Sequence, residues 1–166
     1  MSEVLTFDSS MTLEYMEDGH RHLMVPVFFS GNSYANDKVD FILDTGAFLT
    51  VITTETAKIF GFDKLPPLKK NIPLMGFAGF GINGDLVEIS MLLGNRRLDG
   101  VKVAIPYANT TDNILSLNIL EHFNYAVDST NDKIYFSENP TYKAHQELKC
   151  GNIFAIQRTH ATLSSS

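Results

Sequence analysis

A carboxylate, a hydroxyl and a glycine stand together at Asp44-Thr45-Gly46, directly after the mostly apolar segment VDFIL at residues 39–43. A carboxylate at the end of a buried strand needs hydrogen-bond donors, because burial removes the water that would solvate it. Gly46 has no Cβ and so lets backbone N–H groups approach Asp44, while Thr45 adds a hydroxyl. The tripeptide is therefore either a carboxylate held for acid–base chemistry or a simple turn built from common turn residues.

The elements that must position Asp44 begin with a strand at residues 38–43. Its composition is too continuously apolar for a half-solvated strand, so we expect it to be buried on both faces. Before it, residues 11–16 and 23–30 are predicted to form strands. The Asp-Gly pair within residues 17–20 predicts a tight hairpin between them.

The rest of the chain is also predominantly extended in pattern. Residues 53–61 predict a short helix with a threonine cap and a terminal glycine. Residues 71–94 predict a long hairpin with a glycine-rich tip, in which Gly76, Gly79, Gly81 and Gly84 allow movement. Further strands are predicted around 101–105 and 134–136, with a helical patch at 117–123. The predicted fold class is all-β with one or two short helices.

Three segments, taken in order, carry a resemblance to a known family. The segment FILDTGAFLTVI resembles the active-site segment of aspartic proteases, and its DTGA form is similar to the single-domain, retroviral-type members. The glycine-rich MGFAGFGINGDLVEISMLLGN resembles the flap of these enzymes, and DNILSLNILEHFNYAVDSTNDKIYF resembles their closing unit of strand, short helix and return strand. The resemblance covers residues 39–136 of a single predicted domain, residues 1–166, and implies a retropepsin-like closed β barrel or sandwich with a flap hairpin.

The chain contains a single Asp-Thr-Gly, whereas hydrolysis by this family's chemistry requires two carboxylates. The sequences Glu17-Asp18-Gly19 and Leu98-Asp99-Gly100 lack the intervening hydroxyl. The resemblance therefore implies a symmetric homodimer that pairs Asp44 of each subunit across a two-fold axis. Two such carboxylates share one proton, so one acts as acid and the other as base on a water molecule. The implied activity is that of an aspartic endopeptidase acting on a peptide or protein substrate, without metal or other cofactor.

The resemblance also assigns roles around Asp44. Thr45 is expected to hydrogen-bond across the dimer axis, Gly46 to donate a backbone N–H to the carboxylate, and Ala47 to form a wall of the site. The flap is expected to contact substrate through Phe77, Ala78, Gly79, Phe80 and Gly81. The two phenylalanines alternatively pin the flap to its own subunit.

Two residues depart from the family pattern. Ser116 stands in Ile114-Leu115-Ser116 where the family usually has a glycine, and its side chain could crowd a tight crossing near the active loop. Phe48 is larger and more apolar than the small or polar residue expected after DTGA, so it either narrows the cleft or fills core. These departures motivate an alternative function, a retropepsin-like peptide-binding module without turnover.

Composition limits the kinds of binding partner and the cellular compartment that are expected for this protein. A formal charge of −6 argues against binding to nucleic acid or to an anionic membrane, both of which favour a basic face. Cys150 is the only cysteine, which excludes an intrachain disulfide and favours a reducing compartment. The sequence shows neither a signal peptide nor a membrane-spanning run, so a cytoplasmic location is expected unless the chain derives from a longer, anchored parent. Short terminal strands at 4–7 and 153–156 are predicted, followed by a frayed tail at 159–166.

Three other motifs suggest a different chemistry. Residues 79–84 fit G-x-G-x-x-G, but the alternating pattern that follows predicts a strand where a dinucleotide site needs a helix. His20 and His22 with Asp18 could hold a metal, but a solvated hairpin edge is the favoured explanation and no convincing third ligand reinforces the site. Cys150 could serve as a thiol nucleophile, but no other feature supports that role.

Overall fold

The computed structural model describes residues 7, 9–12, 14–17, 21–29, 38–75, 81–94 and 96–138. Ten strands are assigned within these ranges: β1 Ser9–Thr12, β2 Glu14–Glu17, β3 Arg21–Phe28, β4 Lys38–Leu43, β5 Lys69–Met75, β6 Gly81–Leu93, β7 Arg96–Pro106, β8 Asn113–Leu115, β9 Phe123–Asp128 and β10 Lys133–Glu138. The helices are α1 Thr54–Phe60, α2 Leu117–Leu120 and a 3-10 turn at Phe62–Lys64. The predicted all-β class with short helices is confirmed.

The strands form two sheets. The smaller sheet has the order β1-β10-β9, and all of its pairs are antiparallel. The larger has the order β5-β6-β3-β4-β8, with β2 added beside β3 and β7 beside β6. In the larger sheet β4 pairs antiparallel with β3 and parallel with β8, so β4 lies between two partners.

The predicted single strand at residues 11–16 is wrong in one respect. The segment divides into β1, which joins the smaller sheet, and β2, which forms the predicted hairpin with β3. A chain that passes from one sheet to the other has to interrupt its hydrogen-bond pairing between strands. The alternation of apolar and polar residues in a short segment does not show where that interruption falls. The predicted terminal strands at 4–7 and 153–156 and the tail at 159–166 lie outside the described residues, except Phe7, which is not in a strand.

Burial along β4 is also lower than predicted. Phe41 is fully buried, whereas Val39, Ile42 and Leu43 are only partly buried in the single chain. Val39 and Leu43 still pack against the core, so the strand is anchored from one side. The expectation of burial on both faces is therefore wrong for this chain taken alone.

The core lies between the sheets and α1. Phe29 is buried in it and makes edge-on ring contacts with Phe41, Phe60 and Phe62, at centroid distances of 6.2, 4.8 and 5.0 Å. Such edge-to-face pairs stabilise a core beyond the area that they bury. Helix α1 begins and ends as predicted: the Thr53 hydroxyl accepts from the Thr56 N–H, and Gly61 ends the helix with a φ of 75°.

The long hairpin predicted at residues 71–94 consists of β5 and β6, which pair antiparallel. Its tip, residues 76–80, lies outside the described residues. Gly84 does not give the hairpin freedom, because it is buried opposite Pro106 of β7. A Cβ at this position would lie 2.5 Å from the Ile105 carbonyl oxygen, so the glycine permits close strand packing instead. None of the described helices has the length and apolar character needed to span a bilayer.

Candidate active site

Asp44 lies at the carboxyl end of β4, where two parallel strands fix its backbone. Leu43 is in register with Leu115 of β8, and the Asp44 N–H donates to the Leu115 carbonyl at 3.0 Å. The side chain is partly buried. Asp44 therefore occupies a position that the larger sheet sets directly.

The turn after Asp44 supplies a donor to its carboxylate. The Gly46 N–H donates to Asp44 Oδ1 at 2.8 Å. A Cβ at residue 46 would lie 3.2 Å from the same oxygen, which is tighter than ordinary packing, so the missing side chain makes room for this geometry. Thr45 and Gly46 are exposed, and Ala47 is partly buried. The placement of Thr45 leaves its hydroxyl accessible to a second molecule.

Helix α2 holds the next part of the loop. The Leu117 N–H donates to the Ala47 carbonyl at 3.1 Å, and the Asn118 N–H donates to the Phe48 carbonyl at 3.0 Å. These are N–H groups of the first turn of a helix, which have no partner within the helix itself. The loop and the helix thus satisfy each other's backbone groups.

A buried polar network lies behind the loop and was not identified from the sequence. The N–H and the hydroxyl of Thr50 both donate to Asn118 Oδ1, at 2.9 and 2.8 Å. Asn118 in turn donates through Nδ2 to the Lys102 carbonyl at 2.7 Å. Thr50 is fully buried, so these bonds stand in place of water. The one sequence feature that could have indicated the network is a polar Asn118 within the apolar patch at 117–123.

Ser116 does not disrupt this arrangement. Its φ of −119° is extended backbone that any residue adopts, so the position does not require glycine on conformational grounds. The residue is fully buried, and its N–H donates to the Thr50 hydroxyl at 3.1 Å. Its own hydroxyl has no hydrogen-bond partner in the described part of the chain. The fold therefore accommodates Ser116.

Phe48 does not fill the core. Its side chain is 73% exposed in the single chain and lines the cleft at Asp44. Of the two explanations offered for Phe48, contact with the cleft is the one that this placement supports. An exposed phenylalanine beside a carboxylate also marks a surface that another molecule can cover.

The cleft at Asp44 has a volume of about 720 Å³. This volume is in the range of clefts that bury a drug-sized ligand. The lining is mainly apolar and includes strand residues from both arms of the β5–β6 hairpin: Asp44, Gly46, Ala47, Phe48, Leu49, Val51, Pro73, Leu74, Ile82, Pro106, Thr110, Asp112 and Ile114. Asp44 and Asp112 are its two carboxylates, and no lysine, arginine or histidine lines it in the described ranges.

The flap residues predicted to contact substrate fall mostly outside the described residues. Phe77, Ala78, Gly79 and Phe80 belong to that group. Gly81 is described: it begins β6, pairs with Met75 and is exposed. Its neighbour Ile82 lines the cleft, so the part of the hairpin next to its tip reaches the site.

A polar cluster holds the base of this hairpin. The Tyr107 hydroxyl donates to the Asp85 carboxylate. Asn71 has a left-handed backbone with a φ of 56°, and its N–H donates to the Asp85 carboxylate and to the Tyr107 hydroxyl oxygen. Asn83 adds a bond from Nδ2 to Asn71 Oδ1 at 2.7 Å. The bond to the Asp85 carboxylate raises the pKa of Tyr107. The hairpin is thus tied to β7 at its root.

The competing motifs receive no support from the described residues. The glycines at 81 and 84 belong to a strand, which is incompatible with the helix that a dinucleotide site needs. Among the described side chains no group of three potential ligands could hold a metal ion. Asp18, His20 and Cys150 lie outside the described residues, as does the side chain of His22.

A family profile described as aspartyl protease matches residues 25–119. A crystal structure of a retropepsin-like aspartic protease from Rickettsia conorii is similar at a TM-score of 0.54 and 17% identity, covering 81% of this chain and 96% of that one. EIAV protease complexed with the inhibitor HBY-793 is similar at a TM-score of 0.48 and 17% identity, covering 64% and 91%. A search of curated protein sequences found no match. The predicted retropepsin-like fold is confirmed.

Proposed function

The chain belongs to the aspartyl protease family, and from that premise we propose that it is an endopeptidase whose catalytic dyad is Asp44 of one subunit and Asp44 of a second copy. The observation that carries the proposal is the Asp44 carboxylate, which accepts the Gly46 N–H at 2.8 Å at the edge of a cleft of about 720 Å³. One chain contains a single Asp-Thr-Gly, so the second carboxylate comes from an identical chain.

The surface next to Asp44 supports a second copy at this place. Thr45 is exposed, and its hydroxyl can hydrogen-bond to its counterpart across a two-fold axis. The apolar side chains of Phe48 and Leu117 are 73% and 37% exposed, and both residues belong to the loop and helix that bond to each other. Apolar groups of this size gain free energy when a partner removes them from water.

In this dimer the two carboxylates share one proton, because ionising both at close range is unfavourable. The ionised Asp44 takes a proton from a water molecule, whose oxygen bonds to the scissile carbonyl carbon. The protonated Asp44 donates its proton to the carbonyl oxygen, which gives a tetrahedral intermediate. Collapse of this intermediate breaks the C–N bond while a proton passes to the departing nitrogen, so the products are a carboxylic acid and an amine.

The rest of the site positions these groups. Gly46 orients the carboxylate, Ala47 and the apolar walls receive substrate side chains, and the flap that includes Phe77, Ala78, Gly79, Phe80 and Gly81 closes over an extended peptide. An extended substrate can add backbone hydrogen bonds to such a hairpin, and closure excludes water. The proposed location is cytoplasmic, and the proposed partners are a peptide or protein substrate and a second copy of the chain.

The test replaces Asp44 with Asn, which keeps the shape of the side chain but cannot act as the base. Wild type and Asp44→Asn are incubated with a diverse peptide pool from mildly acidic to neutral pH, with and without pepstatin. We expect inhibitor-sensitive cleavage by wild type and a loss of at least ~10³-fold in the variant. Asp63→Asn, at an exposed position of the 3-10 turn, is the matched control and should cleave as wild type does.

Sedimentation of the Asp44→Asn variant should still give a dimer. Cleavage retained by this variant would contradict the proposal. Peptide binding without cleavage by wild type across the pH range would instead support the alternative function, a peptide-binding module without turnover. Ser116 and Phe48 motivate that alternative: the Ser116 hydroxyl is buried without a hydrogen-bond partner in the described part of the chain, and the Phe48 side chain is exposed.

A further inference from the structure

We propose that Asp112 is a specificity-determining residue that makes the cleft prefer substrates with a lysine or arginine side chain close to the scissile bond. This inference rests on the proposed function, because it concerns the same cleft. It adds a substrate class that neither the Asp-Thr-Gly segment nor the fold implies.

Asp112 lines the cleft and has no part in the proposed acid–base step. Thr110, Asp112 and Ile114 all line the cleft. Ile114 belongs to β8 and is in register with Ile42, two residues before Asp44. The wall that carries Asp112 is therefore built on the strand next to the catalytic one.

The backbone at Asp112 is held in place by its neighbour. Asn113 is in register with Phe41 of β4, and its Oδ1 accepts from the Thr53 N–H at 2.9 Å. Because Asp112 directly precedes this anchored residue, the sheet limits where its backbone can lie, and a site next to a rigid element discriminates between ligands more sharply than one on a free loop. Asp112 is thus presented to the cleft from an anchored position.

The charge of Asp112 is not neutralised within the described part of the chain. Its Oδ2 accepts from the Thr111 hydroxyl at 2.8 Å, and no described lysine, arginine or histidine forms an ion pair with it. The cleft lining also contains no basic residue in the described ranges. A cationic substrate group would meet a carboxylate that lacks a competing cation, and apolar surroundings strengthen that attraction.

The rest of the cleft lining suits a long cationic side chain. The guanidinium of arginine and the ammonium of lysine both donate several hydrogen bonds, and their methylene stems suit the apolar walls formed by Leu74 and Ile82.

The experiment compares wild type, Asp112→Asn, Asp112→Lys and the control Asp63→Asn on one peptide series. In that series each position flanking the cleavage site carries in turn Lys, Met or Glu, where Met is the neutral side chain of similar length. For wild type we expect kcat/KM about tenfold higher for Lys than for Met at one position on each side of the bond, with the difference mainly in KM. Two positions are expected because a two-fold axis supplies two copies of Asp112.

The variants decide whether Asp112 is responsible. Asp112→Asn should abolish the preference for Lys, Asp112→Lys should favour Glu instead, and Asp63→Asn should keep the wild-type pattern. The preference should also shrink as salt is raised, because screening weakens the attraction. Equal kcat/KM for Lys and Met at every position, or a preference that survives in Asp112→Asn, would overturn the inference.

Failure of this inference about Asp112 can be distinguished from failure of the proposed function. If Asp44-dependent cleavage occurs without any preference for Lys, the enzyme assignment stands and the role of Asp112 is wrong. If wild type cleaves none of the peptides, the same comparison is made by measuring their Kd. Binding about tenfold tighter for Lys than for Met, lost in Asp112→Asn, would support Asp112 without catalysis, and equal binding would reject it.

Discussion

At the scale of single residues, the site depends on backbone groups aimed at one carboxylate. Asp44 receives the Gly46 N–H, while its own N–H is held by Leu115 of the neighbouring strand. The sequence predicted this arrangement at Asp44 and Gly46, because a carboxylate followed by a glycine has a local physical meaning. It did not predict Thr50 and Asn118, whose mutual bonds join positions 68 residues apart, or Asp112, which reaches the cleft only through sheet pairing.

Replacement of Gly46 by Ala tests the geometry of the carboxylate. The new Cβ would lie 3.2 Å from Asp44 Oδ1, so we expect the carboxylate to move by a few tenths of an ångström. Because the two carboxylates must keep a fixed separation, kcat should fall by about tenfold or more while KM changes little. Circular dichroism and sedimentation serve as controls for the fold and the dimer. Unchanged kcat in a folded, dimeric Gly46→Ala variant would contradict this role for the glycine.

At the scale of elements, short sequence patterns correctly predicted the helix caps, the hairpin and the strand whose form depends on neighbouring residues. The caps of α1, the hairpin of β2 and β3, and the strand β4 all follow from short sequence signals. The division of residues 11–16 between two sheets and the partial burial of β4 depend on partners far along the chain. Composition and periodicity carry no information about such partners, so these two features were predicted wrongly.

Strand β6 gives a prediction of its own. Gly84 faces Pro106 so closely that a Cβ would lie 2.9 Å from the Pro106 Cα. We expect Gly84→Ala to lower the free energy of unfolding by about 1–3 kcal/mol, because neighbouring backbone has to move. Gly81→Ala on the same strand is the matched control, since a Cβ there meets nothing within 4 Å. Its free energy of unfolding should be unchanged or slightly higher.

Denaturant unfolding of both variants at one protein concentration makes the comparison, because the stability of a dimer depends on concentration. A loss of stability in Gly81→Ala equal to that in Gly84→Ala would show that close packing at β6 and β7 is not the cause. Equal stability of Gly84→Ala and wild type would show that β6 and β7 have room to separate at this point.

At the scale of the whole molecule, the proposed function assigns each chain half of the catalytic machinery, because one chain contains a single Asp-Thr-Gly. The comparisons show the fold and the family, and the single Asp-Thr-Gly is the basis of the proposed dimer. The exposed Thr45 and Phe48 lie where that dimer would join. A site that exists only at an interface makes activity depend on the composition of the dimer as well as on the integrity of each chain.

The most direct test of this claim mixes subunits. A fixed amount of wild type is equilibrated with increasing Asp44→Asn chain, under conditions where dimers exchange, and the rate of peptide cleavage is measured. If each active site needs two Asp44 residues, random pairing lowers the rate to about half at an equal amount of variant and to about one tenth at a ninefold excess. Adding Asp63→Asn chain in place of Asp44→Asn should instead raise the rate. A rate that stays constant as Asp44→Asn chain is added would show that each chain holds a complete site, and would contradict the shared dyad.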